Sequence, residues 1–376
     1  MHRDNRHVKN IQHLNFRRVA LVAVCLGLGL TPSMGMAANK PAQAKALASN
    51  DSAPDFITYG RRDDVMAFAA NAAARHGLDL TQTEATLARA RFISSVTRFI
   101  MPPPAGTAKN WAAYRDRFIE PKRVNAGVVF WRANKGWLNL AEERFGVPAE
   151  IIVGIIGVET LYGQQVGTFR VLDALATLSF DFPKGRKDRS AFFRDELAHF
   201  LLMCQQEGSD PLAAKGSFAG AMGLPQFMPS SVLKYAVDFD GDGHIDLHGS
   251  TADVIGSVAN YLAKFGWQPG LPTHFDVAAP VDSTDRNVLL GPDIVPLFSP
   301  QEMTDRGARL SEAALHVQSK LALVELQNGA AAPSYVAGTS NFYAVTRYNW
   351  SSYYAMAVIG LGEAVKERLK AAVAGE

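Results

Sequence analysis

Apolar residues recur at helical spacing through most of the chain beyond residue 55. Asp63 or Asp64 can cap a helix that ends at His76-Gly77, and Thr81–Glu84 has the spacing of a capping box that opens a second helix. The second helix cannot pass Pro102, the first of three consecutive prolines. The same periodicity predicts further helices over about residues 128–144, 192–206, 229–237, 253–265 and 353–373.

The segment from Pro148 to Thr160 is apolar on every side, which predicts a buried element. Periodicity alone does not separate helix from strand in such a run. Pro148 suits the first turn of a helix and Glu150 suits the positive end of a helix dipole, so we predict a helix. Gly154 and Gly157 would then lie on one side of it and permit close packing against a neighbour.

The pattern changes between about Leu271 and Ala344. Residues 320–326 lead into Asn328-Gly329, a hairpin turn signal, and residues 334–336 and 342–345 are predicted to form further strands. The chain is therefore predicted to be a mainly helical protein with a small inserted β-subdomain.

The N-terminus has the pattern of a signal peptide over residues 1–37. Five basic residues precede an apolar run from Val19 to Leu30, and small residues surround a cleavage point after Ala37. The run is shorter than the roughly 20 apolar residues of a membrane span, so we favour export over a transmembrane anchor. Lipidation at Cys25 and twin-arginine export through Arg17-Arg18 stay open as alternatives.

Residues 38–54 are rich in Ala, Ser, Asn, Asp and Pro and are predicted to be a flexible linker. Over all 376 residues, 38 basic and 36 acidic side chains give a net charge of +2, which does not favour nucleic acid as a partner. Cleavage would leave Cys204 as the only cysteine, predicted to be a small buried apolar residue. The sequence contains no phosphate-binding loop, and we expect no organic cofactor.

Glu159 is the first candidate for chemistry, because it stands at the end of the nearly all-apolar helix. A carboxylate there is costly unless it is solvated, paired or protonated. Desolvation would raise its pKa, which is what a general acid needs near neutral pH. Alternatively, Glu159 only marks where the helix reaches water, and the residue alone does not exclude this simpler interpretation.

Two other segments could bind a ligand. Residues 216–231 are rich in glycine and small residues that let the main chain approach a ligand, and Ser217 and Gln226 add hydrogen-bonding groups. An ordinary Gly-rich turn is the alternative. The run from Arg347 to Tyr354 combines aromatic faces with an amide group, which suits sugar rings or a domain interface.

Residues 238–249 match the calcium loop of an EF-hand in most positions. Aspartates supply oxygen at loop positions one, three, five and nine, Gly243 stands at six and His244 offers its carbonyl at seven. Gly249 replaces the usual bidentate glutamate at position twelve, and Asp253 could close the site instead. We predict a structural Ca²⁺ ion, with the ligands Asp238, Asp240, Asp242, His244 and Asp253.

Taken in order, these segments resemble the membrane-bound lytic transglycosylase B family of bacterial cell-wall enzymes. Residues 151–160, with Tyr162-Gly163 after them, are similar to the catalytic helix of that family, and residues 172–180 to its next signature. The Gly-rich segment, the calcium-type loop and residues 341–356 follow in the family's order. Five ordered motifs are more specific than any one alone. They favour Glu159 as a catalytic residue over the simpler interpretation that it only marks where the helix reaches water.

The resemblance implies a mainly α fold of the α+β class, built around a lysozyme-like core. Its implied divisions are a helical domain over 55–145, a catalytic core with the EF-hand-like loop over 146–270, a β-subdomain over 271–344, and a C-terminal segment over 345–376 that completes the core or the helical domain.

The resemblance also implies the chemistry. Glu159 would protonate the oxygen between N-acetylmuramic acid (MurNAc) and N-acetylglucosamine (GlcNAc), and then take the proton of the muramic O6 as that oxygen attacks its own anomeric carbon. The substrate's N-acetyl group would stabilise the anomeric centre, and the product would carry a 1,6-anhydro end. By motif position the implied sugar-binding residues are Ser217, Gln226, Tyr261, Asn349 and Tyr354, with Tyr114 and Arg189 matching more loosely.

Three rival functions stay open at this point: a non-catalytic glycan-binding scaffold, a muramidase that uses water, and a calcium-stabilised structural protein. We expect a soluble monomer in the periplasm, with association with the outer membrane left open. The expected partners are peptidoglycan glycan strands and proteins of cell-wall synthesis or degradation, and not nucleic acid.

Overall fold

The computed structural model describes residues 57–102 and 109–374. The predicted signal peptide, the linker and Cys25 lie outside the described residues. Within them the chain forms sixteen helices and six short strands, so the predicted class, mainly helical with small sheets, is confirmed. In the part that the structure describes, no helix combines the length and the apolar character that a membrane crossing needs.

Among the described residues, six helices precede the apolar segment: α1 (Asp63–His76), α2 (Leu80–Ala88), α3 (Ser94–Phe99), α4 (Trp111–Phe118), α5 (Pro121–Ala133) and α6 (Lys135–Phe145). Helix α1 is confirmed and ends at Gly77, which has a φ of 66°. The predicted capping box is wrong, because Asp79 caps α2 by accepting a hydrogen bond from the Gln82 main chain at 2.6 Å. The predicted helix over 128–144 is divided at Asn134, where α5 ends and α6 begins.

The core contains α7 (Ala149–Thr160), β1 (Phe169–Arg170), α8 (Val171–Phe180), α9 (Ser190–Glu207), β2 (Lys215–Gly216), α10 (Pro229–Tyr235) and α11 (Thr251–Lys264). The buried segment is a helix, as predicted, and α16 (Ser352–Ala374) packs along it. A Cβ atom at Gly154 would collide with the carbonyl of Val358 in α16, so the glycine permits this close contact, as predicted. Cys204 is buried in α9.

The inserted β-subdomain contains β3 (His274–Ala278), α12 (Ser283–Leu290), α13 (Pro300–Asp305), β4 (Arg309–Leu310), α14 (Glu312–Leu315), β5 (Ala322–Asn328) and β6 (Ala331–Gly338). Its strands form an antiparallel sheet in the order β4-β3-β6-β5. The predicted hairpin joins β5 to β6. The sheet encloses a separate small core with Leu289, Met303 and Leu323 at its centre.

One predicted strand is wrong. Residues 342–345 belong to helix α15 (Ser340–Thr346). The Thr339 hydroxyl accepts a hydrogen bond from the Asn341 main chain at 3.1 Å and so starts a helix, although the apolar and aromatic residues that follow favour a strand by propensity. Helix α15 returns the chain from the sheet to the core, ahead of α16.

Candidate active site

Glu159 lies at the C-terminal end of α7, where that helix reaches a pocket. The other residues from Ile151 to Thr160 are buried, whereas Glu159 is partly exposed. Among the described residues that line this pocket, Glu159 is the only carboxylate. The lining also includes Arg189, Phe192, Phe193, Ala219, Ala221, Gln226, Met228, Tyr348 and Asn349.

Among the described residues, the carboxyl group of Glu159 has one hydrogen-bond donor, the side chain of Tyr354 in α16. Tyr354 Oη donates to Glu159 Oε1 at 2.6 Å, and the tyrosine itself is only 2% exposed. Burial raises the pKa of Glu159 to about 7, while the hydrogen bond from Tyr354 acts in the opposite direction. Near neutral pH, Glu159 can therefore both donate and accept a proton.

Tyr354 belongs to a row of three tyrosine rings in contact, with Tyr348 and Tyr261. Tyr348 stacks on Tyr354 with centroids 6.3 Å apart, and Tyr261 lies 4.8 Å from Tyr348. The hydroxyl of Tyr261 donates to the main-chain oxygen of Arg347 at 2.7 Å, and that of Tyr348 to Pro225 at 2.7 Å. Tyr261 thus supports the pocket wall without lining the pocket, whereas Tyr348 is part of the lining. Tyr348 was not among the predicted site residues, although it lies in the aromatic run from Arg347 to Tyr354.

The Gly-rich segment forms another wall of the pocket. Gln226 adopts a φ of 52°, and its amide donates to the main-chain oxygens of Gly223 at 2.9 Å and Val166 at 3.2 Å. These bonds hold a left-handed conformation that residues other than glycine rarely adopt, and such strain is common at functional sites. Ser217 is buried, and its hydroxyl accepts from the main chain of Ala221 at 3.0 Å.

The two loosely matched residues lie in different places. Arg189 lines the pocket, with its guanidinium 4.5 Å from the ring centroid of Phe192. The sequence interpretation missed Phe192 and Phe193, although they follow Arg189 closely in the chain. Tyr114 is outside this lining but packs against Tyr353, with ring centroids 5.8 Å apart.

The aspartate-rich loop lies between α10 and α11. Carboxylate oxygens of Asp238, Asp240 and Asp253 lie within 4.8 Å of one another. Asp253 is 1% exposed and accepts hydrogen bonds from the main chain of Phe239 at 2.7 Å and of Asp246 at 2.8 Å. Three carboxylates so close together repel one another, and hard oxygen donors of this kind fit a divalent cation such as Ca²⁺.

One of the predicted carboxylate ligands, Asp242, is outside that cluster. Asp242 Oδ1 accepts a hydrogen bond from the main-chain nitrogen of His244 at 2.8 Å. No aspartate of this loop lines the Glu159 pocket in the part of the chain that the structure describes. Phe239 is buried against Phe145, with centroids 6.0 Å apart, so the loop is anchored to the core rather than to the pocket.

A helical core with a pocket whose one carboxyl group has a raised pKa has what acid–base catalysis requires. The sequence profile described as Transglycosylase SLT domain matches residues 60–363. The chain is also 43% identical over 312 residues to the membrane-bound lytic murein transglycosylase B of Escherichia coli strain K12, covering 77% of this chain and 79% of that protein. The chain therefore belongs to the lytic transglycosylase family, and the resemblance inferred from its motifs is confirmed.

Solved structures agree with this assignment. The Escherichia coli lytic transglycosylase Slt35 in complex with calcium is 41% identical, with a TM-score of 0.71, 82% of this chain and 94% of that chain being covered. SltB3 from Pseudomonas aeruginosa, solved in complex with NAG-anhNAM-pentapeptide, is 29% identical, with a TM-score of 0.66. The match covers 80% of this chain and 78% of that chain. Relatives of this chain thus bind calcium in one case and a peptidoglycan fragment in the other.

Proposed function

We propose that the enzyme cleaves the β-1,4 bond between MurNAc and GlcNAc in peptidoglycan and leaves a 1,6-anhydro-MurNAc end. The observation that carries the proposal is Glu159, the single carboxylate among the described residues of the pocket lining, with a pKa of about 7. Glycosidases that use two carboxylates need a second one across the scissile bond. One group that both donates and accepts a proton fits a reaction without an added water.

The proposed reaction has two proton transfers. Protonated Glu159 donates to the glycosidic oxygen as the bond from that oxygen to the muramic C1 breaks, and the carbonyl oxygen of the N-acetyl group stabilises C1. The muramic O6 then bonds to C1 while its proton moves to the Glu159 carboxylate. The acid is restored, no water is consumed, and proton transfers of this kind contribute about 10²–10⁴-fold to the rate.

Seven residues are proposed to bind sugar. Asn349, Gln226 and Arg189 line the pocket with polar groups, which supports direct contacts to the glycan. Tyr354 orients Glu159 through its hydroxyl. Ser217 and Tyr261 are buried and hydrogen-bonded to main chain, so they would support the pocket walls, whereas Tyr114, which lies beside Tyr353, would contact the glycan beyond this pocket.

A structural Ca²⁺ is proposed for the loop, with carboxylates of Asp238, Asp240, Asp242 and Asp253 and the carbonyl of His244 as ligands. The convergence of three of these carboxylates supports it. The ion would link the loop to the N-terminus of α11, to which Asp253 belongs. We further propose export to the periplasm, as the sequence pattern of residues 1–37 indicates, and action there on glycan strands as a monomer.

Digestion of purified sacculi tests the function. The parent enzyme should release fragments that end in 1,6-anhydro-MurNAc, lighter by one water than hydrolysis products, and Glu159→Gln should release almost none. Glu150→Gln, at the other end of α7, is the matched control and should retain turnover. Reducing-end products would identify a muramidase, and an inactive parent that still binds sacculi would identify a glycan-binding scaffold.

A further inference from the structure

The main chain directly after the catalytic helix adopts an unfavourable conformation. Leu161 and Tyr162 have φ values of 50° and 55°, in the left-handed region. Non-glycine residues stay in this region only where surrounding structure enforces it. Glu159 lies two residues before Leu161, so this turn determines how the end of α7 presents the carboxyl group to the pocket.

Arg123 of α5 contacts this turn from outside the pocket. Its Nη1 donates a 2.5 Å hydrogen bond to the main-chain oxygen of Gly157, which also accepts from the Leu161 main chain at 3.1 Å. The guanidinium lies 5.3 Å from the ring centroid of Phe118, and the nearby Glu120 interacts with it electrostatically. A positive charge at the C-terminal end of a helix is favoured by the helix dipole.

Tyr162 fills the space between α5 and the last turn of α7. Its ring stacks on Phe130 with centroids 5.3 Å apart. Its hydroxyl occupies space that exists because residues 127 and 157 are glycines, since a Cβ atom at Gly127 or Gly157 would collide with it. The Arg123 guanidinium is close enough to this hydroxyl for an electrostatic interaction. Arg123 and Tyr162 therefore connect α5 to the turn that follows Glu159.

We propose that Arg123 is a positioning residue for the reaction. Through Gly157 and Tyr162 it stabilises the left-handed turn, and thereby holds the Glu159 carboxyl group where Tyr354 Oη can donate to it. Arg123 is not among the residues that line the pocket, so it acts through α7 and not on the substrate. The inference rests on the proposed role of Glu159 as the acid/base.

Kinetics of Arg123→Met on a soluble glycan substrate test this role. Misplacement of a catalytic group by about an ångström can cost 10²-fold, so kcat should fall by about 10–100-fold, while KM stays within about twofold of the parent. The hydrogen bond from Tyr354 lowers the pKa of Glu159, so weakening it should raise that pKa. The acid would then stay protonated to higher pH, and the decline of kcat with pH should begin at a higher pH than in the parent. Arg123→Lys keeps a charged donor for the Gly157 oxygen and should restore part of kcat.

Arg62→Met is the matched control. Arg62 Nη2 donates to the main-chain oxygen of Phe180, the last residue of α8, at 3.2 Å, so it makes the same kind of contact at a helix without Glu159. This variant should keep the parent's kcat and pH profile.

The inference is overturned if Arg123→Met keeps the parent's kcat. It is also overturned if kcat and melting temperature fall together while the pH profile does not move. Should Arg123→Met not fold, Arg123→Gln, which is shorter and uncharged, decides in the same way: a lowered kcat with a displaced pH profile supports the role, and an unchanged profile overturns it. An active Glu159→Gln variant would instead refute the proposed function itself.

Discussion

Tyr354 donates a 2.6 Å hydrogen bond to Glu159 from a position 195 residues further along the chain. Burial and the neighbouring Glu159 raise the pKa of Tyr354 well above its usual value, so its hydroxyl stays protonated and remains a donor. Burial favours the neutral acid of Glu159, and this bond favours the carboxylate. The balance of the two leaves the pKa of Glu159 at about 7, where both protonation states are populated.

Tyr354→Phe should move the pH dependence of kcat upward and lower its maximum. Loss of the hydrogen bond removes the effect that lowers the pKa of Glu159, so the protonated acid persists to higher pH, and the carboxylate becomes less well oriented. The pH profile of anhydro-product release measures this. Tyr353→Phe is the control, because that hydroxyl donates to the main-chain oxygen of Gln327 at 3.0 Å and not to Glu159. An unmoved profile in Tyr354→Phe would show that the hydrogen bond does not tune the acid.

Glu159→Gln should stabilise the protein increasingly as the pH rises. The pKa of Glu159 is raised in the folded state from 4.5 to about 7. A group of this kind contributes stability that is complete below pH 4.5 and is lost as the pH rises through about 7. The difference in melting temperature between Glu159→Gln and the parent should therefore grow across this window and level off above it.

Glu302→Gln provides the control for that measurement. The hydrogen bond from Lys320 and the main chain of Ser299 lower the pKa of Glu302 to about 2, so its ionisation does not change above pH 5. The difference in melting temperature between Glu302→Gln and the parent should stay constant between pH 5 and 8. A constant difference for Glu159→Gln as well would mean that folding does not raise the pKa of the Glu159 carboxyl group.

Elements with strong local signals were predictable. Helix α1 follows from an acidic first turn and a glycine at its end, and α7 follows from Pro148, Glu150 and an unbroken apolar run. Helix α15 was missed because local propensity favoured a strand over residues 342–345, whereas Thr339 caps a helix there. The helices between β3 and β5 were also missed, since their packing around Leu289 and Met303 depends on contacts distant in sequence.

The candidate site was predictable only in its parts. Motif order identified Glu159, Gln226, Asn349 and Arg189, and the structure brings these four together around one pocket. The aromatic run pointed to the segment that contains Tyr348, but not to Tyr348 itself as a wall of the pocket, because its place is set by the return of the chain through α15. In the acidic cluster, the sequence pointed to Asp238, Asp240 and Asp253 together, but it did not show that the Asp242 carboxylate lies outside this group.

Gly154→Ala should destabilise the protein although alanine is the better helix former. A Cβ atom at Gly154 would collide with the Val358 carbonyl, so α7 and α16 would have to separate, and overpacking of this kind costs about 1–3 kcal/mol. Gly136→Ala in α6 is the control, since a Cβ atom there meets nothing within 4 Å. It should leave stability unchanged or raise it by up to about 1 kcal/mol. Urea unfolding compares the two, and equal stability would contradict the close packing.

Calcium should stabilise the enzyme without taking part in the reaction. An ion that binds only the folded state adds about 2.7 kcal/mol at a concentration 100 times its Kd. Chelation should therefore lower the melting temperature of the parent. Asp240→Asn, which removes one of the three converging carboxylates, should abolish the difference between chelated and calcium-loaded samples.

Asp282→Asn is the control for calcium, because Asp282 caps α12 and lies outside the loop, and asparagine caps equally well. It should keep the full calcium response. The pocket lining contains no residue of the loop, so at a temperature where both forms stay folded, chelation should leave kcat and its pH profile unchanged. Melting curves that coincide with and without calcium would refute the metal site. A kcat that falls on chelation while the protein stays folded would instead place the ion in the reaction.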